Sequence, residues 1–267
     1  MFKKGHQVSF INTARSALSF FLSQLLDIGE DARIKRLFRF FWRRRPVFPR
    51  YLVTWDIKKV LKFLITWHPI AALSYKQLTL KTLMLVAITS SDRAQTLEAI
   101  DIEYSEINDK GIYFPIYSLL KGSKRNRPVR VVQCVRFDDP ALDVSNYVVA
   151  YLQRSLKYRA IAVSKGLPKP RNLFLSYATG KPLRRASIAK YILEVLELSG
   201  IDTSCFKAHT TRGSIPSVIS ARGSSPDKIL AQGDWKNIGT FKKFYERFTE
   251  NSVEGRLIMQ VTGKRRF

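Results

Sequence analysis

His209 and Arg212 stand three residues apart in "AHTTRGS", with Trp235 following in "GDWKN" and Tyr245 in "KKFYER". At a helix start, a spacing of three puts an imidazole and a guanidinium on one face. The guanidinium offers a planar fork of donors suited to phosphate, and the imidazole exchanges protons near neutral pH. An indole N–H donates one hydrogen bond, and a phenol becomes a nucleophile once it loses its proton. These types together suit phosphoryl transfer to a tyrosine. That chemistry needs charge stabilisation on the phosphate, a proton for the leaving oxygen and in-line attack. One arginine is thin for the first task. A second, Arg93, occurs in "SSDRAQTL", at a turn just past a long apolar segment. In "LLKGSKRNRP" a basic turn carries Lys121, whose long side chain could reach a site as the acid, with Lys124 as its competitor.

Each residue also has an ordinary reading. Tyr245 on an apolar-spaced helix is by itself a packing residue, and Phe241, Phe244 and Phe248 beside it are expected to bury one face. Trp235 alone would be packing and His209 a cap. Arg93 and Arg212 alone could be surface charges, but an arginine at the end of an apolar helix calls for an anionic partner.

Composition narrows the partner. The 267 residues hold 46 Lys+Arg against 21 Asp+Glu, a net charge of +25. A folded chain this basic repels itself, and a polyanion is its natural partner, nucleic acid ahead of an anionic membrane or an acidic protein. With 45% hydrophobic residues a sizeable core is feasible. Cys134 and Cys205 make no disulfide framework and fit no zinc spacing, so no metal site is expected. No apolar run reaches the roughly 18 residues of a membrane span, and the N-terminus lacks the apolar stretch of a secretory signal.

Positioning these residues requires a particular order of elements. Residues 9–26 place Ile11, Ala14, Leu18, Phe21, Leu22 and Leu25 on a helical stripe. A basic, aromatic stretch over residues 33–50 carries Arg33, Arg36, Arg43, Arg44 and Arg45 interleaved with Phe38, Phe40, Phe41 and Trp42, as expected of a helix that tracks phosphates. "TWDIKKVLKFLITW" reads as a third helix with Thr54 as N-cap. "HPIAALSYKQ" reads as a linker ending in a capping box, Ser74 to Gln77, that opens a helix over 75–89. Period-2 runs around the turn "NDKG" predict a hairpin, and the basic turn leads to a strand in "VRVVQC". Residues 143–158 read as a helix, "LFLS" as a short strand, and "RRASIAKYILEVLEL" as a helix stopped by Gly200. Ser225–Pro226 has the form of an N-cap with Pro at N1. Pro216 would break the helix after Arg212, which is therefore expected to start near Ser214 or to kink. The fold class expected is mainly α with a small antiparallel β-sheet. The division expected is a basic helical lobe over 1–68 and a mixed domain over 69–267.

The ordered set Arg93, Lys121, His209, Arg212, Trp235 and Tyr245 resembles the tyrosine recombinase (phage integrase) family, whose pattern is Arg, a hairpin Lys, His-x-x-Arg, His or Trp, then Tyr. The phrases "INTARSALS", "PRYLVTWDIKKVLKFL", "DRAQTLEAIDI", "LFLSYATGKP" and "DWKNIGTFKKFY" are similar to recombinases of eukaryotic DIRS-like and crypton-like mobile elements. The resemblance implies the integrase catalytic fold, preceded by a partial helical core-binding lobe. In that family the helical domain normally starts earlier, so the chain is expected to begin partway through it. By the same resemblance Tyr245 attacks a DNA phosphodiester to form a 3′-phosphotyrosyl link. Arg93 and Arg212 hold the non-bridging oxygens, Lys121 protonates the leaving 5′ oxygen, His209 assists and Trp235 donates to the phosphate. Arg33, Arg36, Arg43, Arg44, Arg45, Lys124, Arg125 and Arg127 are expected on double-stranded DNA. The resemblance further implies a homotetramer on two duplexes, without metal, ATP or another small-molecule cofactor, and in a eukaryotic host the nucleus as its place of action. Many relatives carry an acidic residue three after the first arginine, where this chain has Thr96. A DNA-binding copy that no longer cuts, or a type IB topoisomerase, would share much of this sequence character.

Overall fold

Residues 78–88 are buried on every side, as expected of a helix at the centre of a core rather than on its surface. The computed structural model describes residues 1–46, 51–120, 123, 125, 128–235 and 237–263. Two compact units result, Met1–Pro49 and Arg50–Phe267.

The first unit holds α1 (Val8–Phe21) and α2 (Ala32–Arg44). Asp31 caps α2 by accepting from the backbone N–H groups of Arg33 and Ile34. Phe38 is buried and lies under the Arg15 guanidinium, 4.9 Å from its ring. Phe2 stacks on Phe41 at 4.2 Å. Arg36, Arg43 and Arg44 are exposed. Arg33 pairs with Asp31 at 2.8 Å, and Arg45 lies 4.2 Å from the Phe2 ring centroid.

The second unit runs β1 (Val53–Thr54), α3 (Ile57–Thr66), α4 (Tyr75–Ser90), α5 (Ala94–Glu98), β2 (Glu106–Asn108), β3 (Gly111–Ile116) and β4 (Arg130–Val135). It continues with α6 (Val144–Ser164), α7 (Arg185–Leu198), α8 (Thr211–Ala221), α9 (Pro226–Gly233), α10 (Ile238–Phe244), β5 (Phe248–Thr249) and α11 (Val253–Thr262). Helix α4 opens with the full Ser74–Gln77 capping box. Around it pack α6, α7, α8 and β4. β2, β3 and β4 form the antiparallel sheet, with Ile112 opposite Cys134 and Phe114 opposite Val132. Ile57, Val60 and Leu64 on α3 enter the same core. The compact division therefore falls before α3, not at the linker expected after it. Lys81 seals this junction from inside the core. Its ammonium donates to the carbonyls of Leu64 and Trp67 and to the Tyr147 hydroxyl, at 2.6, 2.7 and 2.7 Å, satisfying carbonyls at the end of α3 that would otherwise be orphaned.

Several local expectations change. Asp56, not Thr54, caps α3; Thr54 lies in β1, paired in parallel with β5. "LFLS" makes only an isolated bridge, Leu175 to Pro182. Helix α8 starts at Thr211 and carries Pro216 within it. Among the described residues no helix is long and apolar enough to cross a membrane, and no group of three or more His, Cys, Asp or Glu side chains is placed to hold a metal ion.

Candidate active site

The end of α4 delivers the first candidate. The helix stops at Ser91, whose backbone is left-handed, and Arg93 becomes the N-cap of α5, half-buried. His209 sits in a 3-10 turn (Ala208–Thr210) running straight into α8, and Arg212 is the second residue of that helix. Pro216 has no N–H, so only the Arg212 carbonyl forgoes its helical bond, and the helix survives with Arg212 inside its first turn. Asn237 caps α10 by accepting from the Thr240 N–H at 2.9 Å, and Tyr245 is the residue that ends it.

Arg93, His209, Arg212 and Tyr245 line one cavity of about 510 Å³. His209 is exposed, Tyr245 half-buried and Arg212 buried. The Arg212 guanidinium lies 4.7 Å from the Trp235 ring and 5.6 Å from the Tyr245 ring. Trp235 packs on Phe241 and Tyr245, each at 5.0 Å. One Arg212 nitrogen, Nη2, donates to the Gly233 carbonyl. The others, Nε and Nη1, are buried without an acceptor, as is the Trp235 indole N–H. Buried donors of this kind are rare in proteins; those of Arg212 stand at the cavity wall, whereas Trp235 packs behind it and does not line it. Burial, and then the neighbouring Arg93 guanidinium, push the Arg212 pKa down to about 10. An anion between the two guanidiniums would relieve both effects.

Tyr245 is fixed from the backbone rather than through its phenol. Its carbonyl accepts from the Ser217 hydroxyl at 2.9 Å. Just beyond it, the Arg247 guanidinium donates to the Tyr51 carbonyl at 2.6 Å, and the Glu250 N–H to the Thr54 carbonyl at 2.9 Å. On α8, a Cβ at Gly213 would stand 3.2 Å from the Tyr245 carbonyl oxygen. Gly213→Ala is therefore expected to push this segment by tenths of an ångström. Were the phenol to act as a nucleophile, its reaction should slow by about tenfold, since small misplacements are costly in catalysis, while the melting temperature stays near wild type. A variant as fast as wild type would show that this approach does not set the position of Tyr245.

Lys121, Lys124 and Arg127 lie outside the described residues; Arg125 is exposed. Phe241 is buried as expected, but Phe244 and Phe248 are 44% and 49% exposed, so the face they were expected to bury rests on Phe241 and Trp235 instead. Sequence reasoning missed Asp92, Arg130 and Gly233. Asp92 is buried and pairs with Arg130 of β4 at 2.9 Å; a carboxylate flanking Arg93 was the available signal. Gly233 leaves no room for a side chain, because a Cβ there would overlap the Trp235 ring.

No family profile and no curated protein matches the chain by sequence. Solved structures match it in shape. The chain is similar to XerA recombinase, with a TM-score of 0.53 and 13% identity over 96% of this chain and 83% of that one. It is also similar to XerH site-specific recombinase bound to difH substrate in a pre-cleavage complex, at 0.55 and 14% over 92% and 67%. The fold is that of the tyrosine recombinases. Within this tyrosine recombinase fold, the end of α4, the start of α8 and the end of α10 meet, and they bring together residues as far apart in sequence as Arg93 and Tyr245.

Proposed function

We propose that the chain is a site-specific DNA recombinase, of the kind carried by mobile elements, that breaks and rejoins DNA through Tyr245. The observation that carries this reading is the cavity shared by Arg93, His209, Arg212 and Tyr245, with unpaired buried donors on Arg212 and Trp235. The Tyr245 oxygen attacks phosphorus, the bond to the 5′ oxygen breaks, and a 3′-phosphotyrosyl ester forms. Arg93 and Arg212 stabilise the charge that develops on the non-bridging oxygens. His209, at the rim, takes the proton that the phenol gives up, and Lys121 or Lys124 supplies the proton to the leaving oxygen. The ester bond is exchanged rather than lost, so rejoining needs no ATP. The basic helical lobe grips the duplex with α2, and a homotetramer holds two duplexes for exchange.

A nicked DNA substrate, from which the leaving strand diffuses away, should trap a covalent protein–DNA adduct; no adduct on any DNA would contradict the reading. Relaxation of supercoiled plasmid by a monomer, with no junction or exchange product, would point to a type IB topoisomerase instead. DNA affinity should fall by about a thousandfold or more between 50 and 200 mM salt, because each neutralised phosphate releases a counterion. A flat titration would refute binding through the basic residues.

A further inference from the structure

Arg130, the first residue of β4, is held on several sides. Its Nε and Nη2 grip the Asp92 carboxylate, at 3.2 Å to Oδ1 and 2.9 Å to Oδ2. Nη1 donates to the Ala231 carbonyl at 3.0 Å. Nη2 also reaches the Ser90 carbonyl at 3.1 Å and the Gln232 carbonyl at 3.3 Å. Gln232 returns a bond from its side-chain amide to the Thr89 carbonyl. Three segments are thereby joined: the end of α4, the end of α9 and the start of β4. The first leads directly into Arg93. The second leads directly into Gly233, whose carbonyl holds Arg212.

The Asp92 side chain is only 2% exposed. For stability alone such a pair is a poor choice, since apolar residues of similar volume do as well or better. Its place near the Arg212 guanidinium, on the wall of the same cavity as Arg93, gives the burial a purpose. Arg93 and Arg212 repel each other, and the Asp92 carboxylate acts favourably on Arg212 across this gap. The pair therefore provides both a brace and a counter-charge.

We propose that Asp92 and Arg130 are positioning residues: they hold Arg93 and, through the Gly233 carbonyl, Arg212 at the separation needed to bind the two non-bridging oxygens of one phosphate. This rests on the reading of the cavity as a site of phosphodiester cleavage. Asp92 lines the cavity beside Arg93, but its carboxylate is taken up by Arg130, so both residues act through the two arginines.

The test compares ordinary nicked DNA with DNA carrying a methylphosphonate at the scissile position. There a methyl group replaces one non-bridging oxygen, the phosphate is neutral, and aligned guanidiniums matter far less. On ordinary DNA, Asp92→Asn and Arg130→Met should slow adduct formation in a single turnover by about thirtyfold, the scale expected of a misplaced binding group. On methylphosphonate DNA the same variants should come within about threefold of wild type on that substrate, because the charge to be stabilised is gone. Arg130→Lys keeps the charge and gives up the fork, and should show the same contrast more mildly. Equal losses on both substrates would mean a merely structural brace and would overturn the proposal. Wild-type rates on both would overturn it too, as would failure of all three variants to fold. If wild type itself forms no adduct on ordinary DNA, the cleavage reading falls, and this inference falls with it.

Discussion

Tyr245→Phe is expected to abolish covalent attachment of the protein to DNA, lowering the yield of adduct by at least about ten-thousandfold, because no oxygen remains to attack phosphorus. The substitution removes one atom and little else. The ring keeps its contact with Trp235 at 5.0 Å, and the backbone bond from Ser217 does not involve the phenol. DNA affinity should stay within about twofold of wild type, since phosphate contacts from the many basic side chains supply the binding. A denaturing gel after incubation with nicked DNA reads the adduct, and a filter-binding titration reads the affinity. Retention of adduct by the phenylalanine variant would place the nucleophile elsewhere.

Arg212→Ala is expected to slow adduct formation by about a thousandfold, the usual scale for removing a donor from a developing oxyanion, again with DNA affinity nearly intact. The substitution also removes packing, because the guanidinium lies over both the Trp235 and Tyr245 rings. Against that, burial and Arg93 both disfavour its charge in the free protein, so losing the charge relieves a cost. Arg212→Lys provides the control. It keeps the positive charge but lacks the planar fork, and should still be slower by about a hundredfold. Thermal melts of both variants separate lost chemistry from lost structure. A wild-type rate in either folded variant would remove Arg212 from the mechanism.

Much of the framework was legible in the sequence wherever the signal was local. The Ser74–Gln77 capping box opens α4 as expected, the "NDKG" turn joins β2 to β3, and Pro226 sits at the start of α9. What escaped depends on distant partners. β1 and β5 are two residues each and pair across most of the second unit, which leaves no periodicity to read. That pairing also explains why Asp56 rather than Thr54 caps α3: the Thr54 carbonyl is already engaged by Glu250. Pro216 stands six residues into α8, and the helix carries it at the loss of the bond to the Arg212 carbonyl, so a proline in this pattern did not mark the helix start. The residue types of the candidate site could be read along the chain, since each has its own chemistry. Asp92 offered only a carboxylate flanking Arg93, and its partner Arg130 and the glycine Gly233 offered nothing, because such residues acquire meaning from what they touch once folded.

The most direct measurement is the identity of the residue that carries DNA after trapping on a nicked substrate. The adduct is digested with trypsin and nuclease, and the modified peptide is sequenced by mass spectrometry. A 3′-phosphonucleotide on Tyr245, within the tryptic peptide 244–247, is the result predicted. Modification of any other tyrosine, or DNA joined through its 5′ end, would contradict the account.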